Sequence, residues 1–476
     1  MSREQLLAVV VAQAAQLQAL EARAVGQNAQ IEALTGQVAE LTRRLGQNSG
    51  NSSLPPSSDR FVKPKRDRRA GSAGKPGKQP GAPGAGLALV ADPDEVIDHV
   101  PAACTGCGGG LDGAEEVGVV VRQVRDGPLV TATVTEHRMH KRVCGCGTVT
   151  AAAAPAGVDA PACYGPNLRA VAVYLVVFQH VPVERAALLI ADLTGAAVST
   201  GWVSAQVARA AEALTEVEAL IKAMIVASLV IGVDETTVNV GGVKQWLHVA
   251  RTDLLTAYHL HTSRGRIAVD EFAVLPGYTG TVIHDALSVY DGATYATAAH
   301  ALCGAHLLRE LTAVAQDHPD AAWPAQARRA LADLNTLART ARENGQAVIA
   351  VDLAAEPLRL FRHAVLVGLA EHRRQPGRKQ SKARNLLERL RDREDQILRF
   401  AADLAVPFTN NGSERDLRPV KTQIKISGCH RATTGAQAWL RVRGYISTVR
   451  KHGHDVLTAL RDAITGNPWQ PPIPAT

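Results

Sequence analysis

The chain has no apolar run approaching the roughly 18 residues that a membrane-spanning helix needs. Its N-terminus lacks a basic stretch followed by an apolar segment and a cleavage site. Channels, transporters and exported enzymes are therefore set aside, and a cytosolic protein is expected. A complete set of cysteine pairs is missing too. The seven cysteines are an odd number, and four of them cluster as metal ligands would, which argues against a secreted disulfide scaffold. Acidic excess is also absent. The net charge is +7, which favours nucleic acid over acidic small molecules as a partner. The 46% of hydrophobic residues is ample for a core, and 476 residues allow roughly three domains.

What is present begins with carboxylates. In the run LVIGVDETTVNV, Val230, Gly232 and Asp234 share one face of a strand by the period of two, and Glu235 points to the other. A second run, GTVIHDALSVYD, delivers Asp285 in the same way, with Asp291 as its rival. A helix start in TNNGSERDLRP offers Glu414. Three carboxylates from two strands and a helix suit a site that binds two divalent ions and cuts phosphodiesters. Asp234 has a bland alternative as a turn residue at a strand end. Glu414 has two: with Asn411 as N-cap it falls at the third helical position and could complete a capping box, or it could pair with Arg418 one turn on.

Along the chain, residues 1–47 read as a coiled coil. Leu6, Val10, Gln13, Leu17, Leu20, Ala24, Gln27, Ile31, Leu34, Val38, Leu41 and Leu45 alternate steps of four and three. Self-association is the expected consequence; an amphipathic helix packed on its own chain is the alternative. Residues 48–90 are rich in Ser, Pro, Gly and Lys/Arg and read as a flexible linker. From Arg60 to Lys78 there are eight basic residues against one acid, which suits non-specific contact with DNA phosphates. Residues 91–152 carry Cys104 and Cys107 as CxxC and Cys144 and Cys146 as CxC. Segments between them, EEVGVVVRQV and TATVTEHRMHKRV, read as strands. A small zinc-binding β domain is expected, with all four positions of a structural Zn²⁺ filled by thiolates; a redox dithiol is the rival. Residues 160–225 read as helical, with a turn before Ser199 or Thr200 that suits either a helix-turn-helix or an ordinary helical hairpin.

From 226 to 300 the pattern becomes three strands, a helix and a fourth strand. Residues 301–400 read as a helical insertion, residues 401–465 return with the Glu414 helix, and 466–476 are a tail. Cys303 and His306 form CxxH. A metal reading with Cys429 and His430 competes with a core cysteine beside a polar histidine, and His306 could meet a scissile phosphate. Arg415, Arg418 and Lys421 follow Glu414 and suit phosphate gripping. From Arg415 to Lys451 there are nine basic residues against one acid.

The strings NSSLPPSSD (Asn51 to Asp59), HVPAACTGCG with the later CGCG, GVDETT, HDALSVYDG, CGAHLLREL, NNGSERDLRPVK and STVRKHGHDVLTAL stand in one order along nearly the whole chain. In these the chain resembles a DDE transposase of the insertion-sequence family sixty-six, the TnpC type. It departs from that pattern at Leu54, where Lys is common, and at Cys429, where a small residue is usual. The resemblance implies a multidomain α+β protein with an RNase H-like catalytic core. It implies Asp234, Asp285 and Glu414 as the triad, holding Mg²⁺ or Mn²⁺, and DNA as substrate at both the element ends and the target. A homo-oligomer, accessory proteins of the same element and a bacterial cytoplasmic location at the nucleoid complete the expectation. The rival function is a zinc-containing DNA-binding regulator with an inactive RNase H-like core.

Overall fold

The computed structural model describes residues 3–45, 47, 89–126 and 130–473. Most of the basic linker expected at 48–90, and the last residues of the tail, lie outside the described residues. Two compact units divide the chain. The larger holds Met1–Lys63, Thr135–Asp192 and Ala196–Thr476; the smaller holds Pro64–Val134 and Leu193–Gly195. None of the described helices is long and apolar enough to cross a membrane.

Helix α1 (Arg3–Leu45) is continuous through Gly26 and Gly36. From Leu17 through Leu45 the large apolar members of the heptad seam, Leu17, Leu20, Ile31, Leu34, Val38, Leu41 and Leu45, are each more than half exposed. An apolar stripe left in water is the condition under which a helix gains by pairing with another.

The zinc-domain region departs from expectation. The segment 115–124 forms no strand, and its valines are exposed, Val117 by 97% and Val124 by 92%. Strands persist only when a neighbour satisfies their backbone groups. The Gln123 side chain instead serves the backbone of Val90, accepting from its N–H (2.7 Å) and donating to its O (2.8 Å). In the larger unit, regular sheet in this region is limited to the antiparallel pair β1 (Lys141–Val143) and β2 (Val149–Ala151).

The helical region starts with α2 (Pro166–Val173), whose Pro166 occupies the first turn, where its missing N–H costs nothing. The helix runs on as a π-turn, Tyr174–Phe178. Then come α3 (Val183–Thr194), α4 (Thr200–Ala213) and α5 (Thr215–Val226). Ser199 is the N-cap of α4, accepting from Trp202 N–H at 3.1 Å. Val203, Gln206, Val207, Ala210 and Ala211 bury one face of α4, and Arg209 is the one basic residue the helix carries.

The sheet contains β3 (Val230–Val240), β4 (Val243–Arg251), β5 (Thr256–His261), β6 (Thr281–His284) and β7 (Ala299–Leu302), in the spatial order β5-β4-β3-β6-β7. The first three form an antiparallel meander; β6 and β7 add to β3 in parallel. Gly241 and Gly242 both take positive φ (58° and 80°), which is what a two-residue type I′ hairpin requires, and they set the register Val240↔Val243. Helix α6 (Arg266–Phe272) makes the crossover to β6. Strand β7 was not anticipated. Its four residues, AHAL, lack a period long enough to read, and the expected strand after Gly280 is shorter than its apolar run because His284 ends it.

The expected insertion consists of α7 (Gly304–Asp317), α8 (Trp323–Glu343), α9 (Val351–Glu371), α10 (Lys382–Asp392), α11 (Glu394–Ile397) and α12 (Arg399–Ala402). The chain ends in α13 (Asn411–Ser427), α14 (Thr433–Lys451) and α15 (Val456–Ile464). Two cores result. Val282 of β6 joins α2–α5, α14 and α15 on one sheet face; its neighbour Ile283 joins α7–α12 on the other. The period of two in a four-residue strand thus sorts two hydrophobic cores.

Candidate active site

Parallel pairing of β3 with β6 covers only Val230, Ile231 and Gly232, opposite Thr281, Val282 and Ile283. Asp234 lies two residues beyond, still paired with Val249 of β4 but no longer with β6. It is therefore mid-strand, since β3 continues to Val240, and it stands at the point where two parallel strands part. Asp285 follows the last residue of β6 and so lies one residue past the strand, not within it. Such crevices at the carboxyl ends of parallel strands are the usual place for ligands in open sheets.

Asp234 is half-buried, and its carboxylate accepts one hydrogen bond, from Glu235 N–H at 2.8 Å. Burial first, then the negative charges of Glu235 and Asp285, push its pKa up to about 7, against a smaller pull from His306. Asp285 is oriented by Leu287 N–H, which donates to Oδ1 at 3.0 Å. The next residue, Ala286, has φ of 72°, a left-handed conformation that costs a non-glycine residue energy. Its N–H donates to His284 Nδ1 at 3.2 Å, and His284 Nε2 in turn meets His300 Nδ1 at 3.1 Å. Burial, with the neighbouring His300 and Arg393, lowers His284 to about 3, so this chain of imidazoles is neutral.

Glu414 comes to the crevice on α13. The N-cap is Asn410, not Asn411, so Glu414 is the fourth helical residue and takes no part in a capping box. Nor does it pair with Arg418. Asn410 instead anchors the helix to the sheet: its Nδ2 donates to Val233 O (2.7 Å) and its Oδ1 accepts from Ser413 Oγ (2.7 Å). This close approach requires Gly232. A Cβ there would lie 2.4 Å from Asn410 Oδ1 and 2.8 Å from Ser413 Oγ. The Glu414 carboxylate meets Arg309 Nη1 at 3.4 Å and His306 Nε2 at 4.0 Å.

His306, in the first turn of α7, is the common neighbour. It lies 4.0 Å from Glu414, its charge acts on Asp234, and Asp285 acts on it. Burial works against its charge, but the adjacent Cys303 outweighs that and, with Asp285, lifts it to about 9. Cys303 is buried, and its Sγ accepts from Asn410 N–H at 3.2 Å while its own N–H donates to His284 O at 2.9 Å. The cysteine ties β6, α7 and α13 together, and Cys429 is exposed, so the structure does not support the CxxH metal reading. Among the described residues no three His, Cys, Asp or Glu side chains stand close enough to hold one ion.

Arg415 and Arg418 are exposed on α13, and Lys421 is half-buried; none has a side-chain partner among the described residues. Asp291, the rival of Asp285, is taken by Arg393 at 2.7 Å, and Glu310 by Arg389. Three residues of the site carried no sequence signal. Arg309 holds Glu414. On the far face of β3, Glu235 is buried and accepts from Arg264 Nε (3.0 Å) and Tyr290 OH (2.7 Å). Its pKa is raised, by burial and then by Asp285, against the pull of Tyr290 and Arg264.

The cysteine pairs form two tight turns, one in each unit. Around Cys104, its N–H donates to Gly109 O (2.8 Å) and its carbonyl accepts from Gly108 N–H (2.9 Å). Backbone N–H groups of Cys107 and Gly106 lower the Cys104 thiol. Around Cys144, its N–H donates to Thr148 O and its carbonyl accepts from Gly147 N–H, each at 2.8 Å. The Thr148 hydroxyl and N–H, with Cys144, bring Cys146 down to about 7. Each turn points donors at sulfur, which favours thiolate.

The comparison with curated proteins found no match. Residues 8–88 match the model of a family of unknown function (DUF6444). Residues 161–438, which include every element of the crevice, match the model of the Transposase IS66 family, and the chain belongs to that family.

Proposed function

We propose that this transposase is a DDE enzyme that cuts DNA at the ends of its element and joins the freed ends to target DNA, with Asp234, Asp285 and Glu414 as its acids. One observation carries the reading: Asp234 stands where β3 and β6 part, Asp285 directly follows β6, and Glu414 reaches His306, in the first turn of the helix after β7, at 4.0 Å. The sheet order, with a meander followed by two parallel strands, supports an RNase H-like core. So does the acid pair where β3 and β6 part.

Asp234 and Asp285 suit a divalent ion, short of a complete set of ligands. Asp234 is a carboxylate pushed to about 7 by burial and by like charges, with no cationic side chain bonded to it. Such a group gains most from a bound cation. Asp234 and Asp285 would hold Mg²⁺ or Mn²⁺, and Glu414 would join them on leaving Arg309. When bound, the ions lower the pKa of the attacking water or 3′-hydroxyl and steady the leaving oxygen. The protein's own part is positional. His306, lifted to about 9 and so charged at neutral pH, would meet the scissile phosphate. Arg309, once released from Glu414, is free to meet the same phosphate, and Arg415, Arg418 and Lys421 extend a cationic face along α13. On sequence spacing alone, Cys104, Cys107, Cys144 and Cys146 would be thiolate ligands of a structural Zn²⁺, α1 would pair with a second copy, and the surface of α4 would be the DNA-reading helix of a helix-turn-helix. Bacterial cytoplasm, at the nucleoid, is the setting this function requires, and accessory proteins of the element would join there.

The test is Mg²⁺-dependent cleavage of DNA carrying the sequences that flank this gene, with binding measured on the same DNA. Wild type should cleave, and Asp234→Asn, Asp285→Asn and Glu414→Gln should bind and not cleave. Binding without cleavage by wild type itself would favour the rival reading, a DNA-binding regulator with an inactive core. Zinc analysis of the full chain and of Cys104→Ser checks the metal site: one zinc per chain, lost in the variant, is expected. Light scattering with and without residues 1–47 checks the pairing of α1.

A further inference from the structure

The string STVRKHGHDVLTAL has no part in the acid crevice. It forms the corner between α14 and α15, and there it lines a cleft of about 790 Å³ whose other wall is the π-turn and the residues after it. Arg443 is the central feature. It is only 8% exposed, it lines the cleft, and its Nε and Nη1 make no hydrogen bond among the described residues. A buried guanidinium with two unmatched nitrogens is costly unless a ligand completes it. Burial lowers its pKa, against the pull of Tyr258 and Asp416 on its inner side.

The surroundings are built for an anion. The Arg443 and Arg450 guanidinium carbons lie 5.4 and 5.0 Å from the centre of the Phe178 ring, so the ring holds both cations at the cleft wall. The N-terminus of α15 opens into the same space at Asp455, Val456 and Leu457. Asp455 is the acid of the cleft, and its carboxylate is committed to its own helix, accepting from Thr458 N–H at 2.7 Å. The opposite wall is held in two uncommon conformations. Tyr174–Phe178 is a π-turn, closed by Gln179 N–H to Tyr174 O at 3.0 Å, and His180 takes φ of 59°. π-turns and left-handed non-glycine residues concentrate at functional sites.

We propose that this cleft is a second DNA-contact site, which grips a backbone phosphate through Arg443 and Arg450 away from the acid crevice. DNA is favoured over a free anion because the chain is a transposase and because the cleft is open at the surface, with Arg450 exposed at its edge. The proposal rests on family membership and not on the roles of the three acids: Asp234→Asn should leave this contact unchanged.

The experiment measures binding of the full chain to a duplex oligonucleotide of arbitrary sequence across a salt series. Arg450→Gln removes an exposed cation without touching the core; Arg443→Lys keeps the charge and removes the fork. Each should weaken binding about three- to tenfold at low salt, and Arg450→Gln should reduce the slope of log K against log salt by about 1. Arg359→Gln, an exposed cation on α9, controls for net charge. An effect of Arg450→Gln no larger than that of Arg359→Gln overturns the proposal. Thermal unfolding of Arg450→Gln should match wild type, which keeps the test independent of whether Arg443 variants fold. A second arm adds inorganic phosphate. Stabilisation by phosphate that is lost in Arg443→Lys, with an unchanged DNA slope in Arg450→Gln, would assign the cleft to free anions and overturn the DNA reading.

Discussion

Asp234 and Asp416 are two aspartates at the contact between α13 and the sheet, and they are treated in opposite ways. Asp416 stands two residues after Glu414 and accepts from Lys451 Nζ (2.8 Å) and Thr256 Oγ1 (3.1 Å), with Arg251 Nε at 3.5 Å. Lys451 also donates to Leu255 O (3.0 Å) and Thr252 O (3.2 Å), so its ammonium is matched and welds α13, α14 and the β4–β5 corner together. Burial still brings Lys451 down to about 8, against the pull of Asp416. Asp234 has no such cation; one backbone N–H is its share. A protein can hide a charge by matching it, and where it leaves one unmatched, the match is to come from outside. Arg443 repeats the lesson with the opposite sign.

The largest effect that could break this comparison is on catalysis. Asp234→Asn keeps the side-chain shape and removes the charge, so cleavage should fall at least about a thousandfold, in the range seen when key electrostatic groups are removed. Thermal unfolding without added metal should be no lower than that of wild type. A variant that is both active and unstable would make Asp234 a structural acid. Asp416→Asn should do the reverse. It strands Lys451 and Arg251, and unfolding by urea should show a loss of about 3 kcal/mol, the usual range for breaking one side of a buried pair. An unchanged midpoint would mean that the cluster contributes nothing net.

A smaller effect is expected at Arg309. Arg309→Gln frees Glu414 from its resident cation, so half-maximal cleavage should need severalfold less Mg²⁺. Unchanged Mg²⁺ dependence would show that Glu414 is not competed for. The smallest test asks whether matching governs histidines too. Burial first, then Lys222, His248 and His261, lower His259 to about 4 from an ordinary 6.5. The unfolded chain therefore takes up this proton first as pH falls. Stability present at neutral pH should be lost progressively between about 6.5 and 4, with a slope of up to one proton from this residue. His259→Gln should flatten that slope. Urea midpoints at several pH values check it, and identical profiles would refute the assignment.

Much of the sheet was legible. The runs at β3, β4 and β5 are long, β-branched and alternating, and α6 follows a helical pattern. The placement of Asp234 and Glu235 on opposite faces followed from the period of two. The errors have physical causes. Residues 115–124 carry β-forming side chains and no partner strand. β7 is too short for any period to show. The N-cap of α13 was misassigned by one residue because two asparagines are adjacent, and only the bond from Asn410 to Val233, 177 residues away, distinguishes them. Arg309, Arg264 and Tyr290 were invisible for the same reason: Tyr290 lies 55 residues from Glu235, and Arg309 lies 105 from Glu414.

The sequence by itself determined the local structure of this protein: the α1 repeat, the Gly241–Gly242 hairpin, the strands that carry the acids, and the family strings, because each is written in residues a few positions apart. Only the tertiary structure decided which charges are matched. Asp416 is neutralised by Lys451 from α14, Asp291 by Arg393 from the helical insertion, and Asp234 is bonded to no cationic side chain among the described residues. Charge compensation is a matter of ångströms in space between groups far apart in sequence, and no period or spacing encodes it.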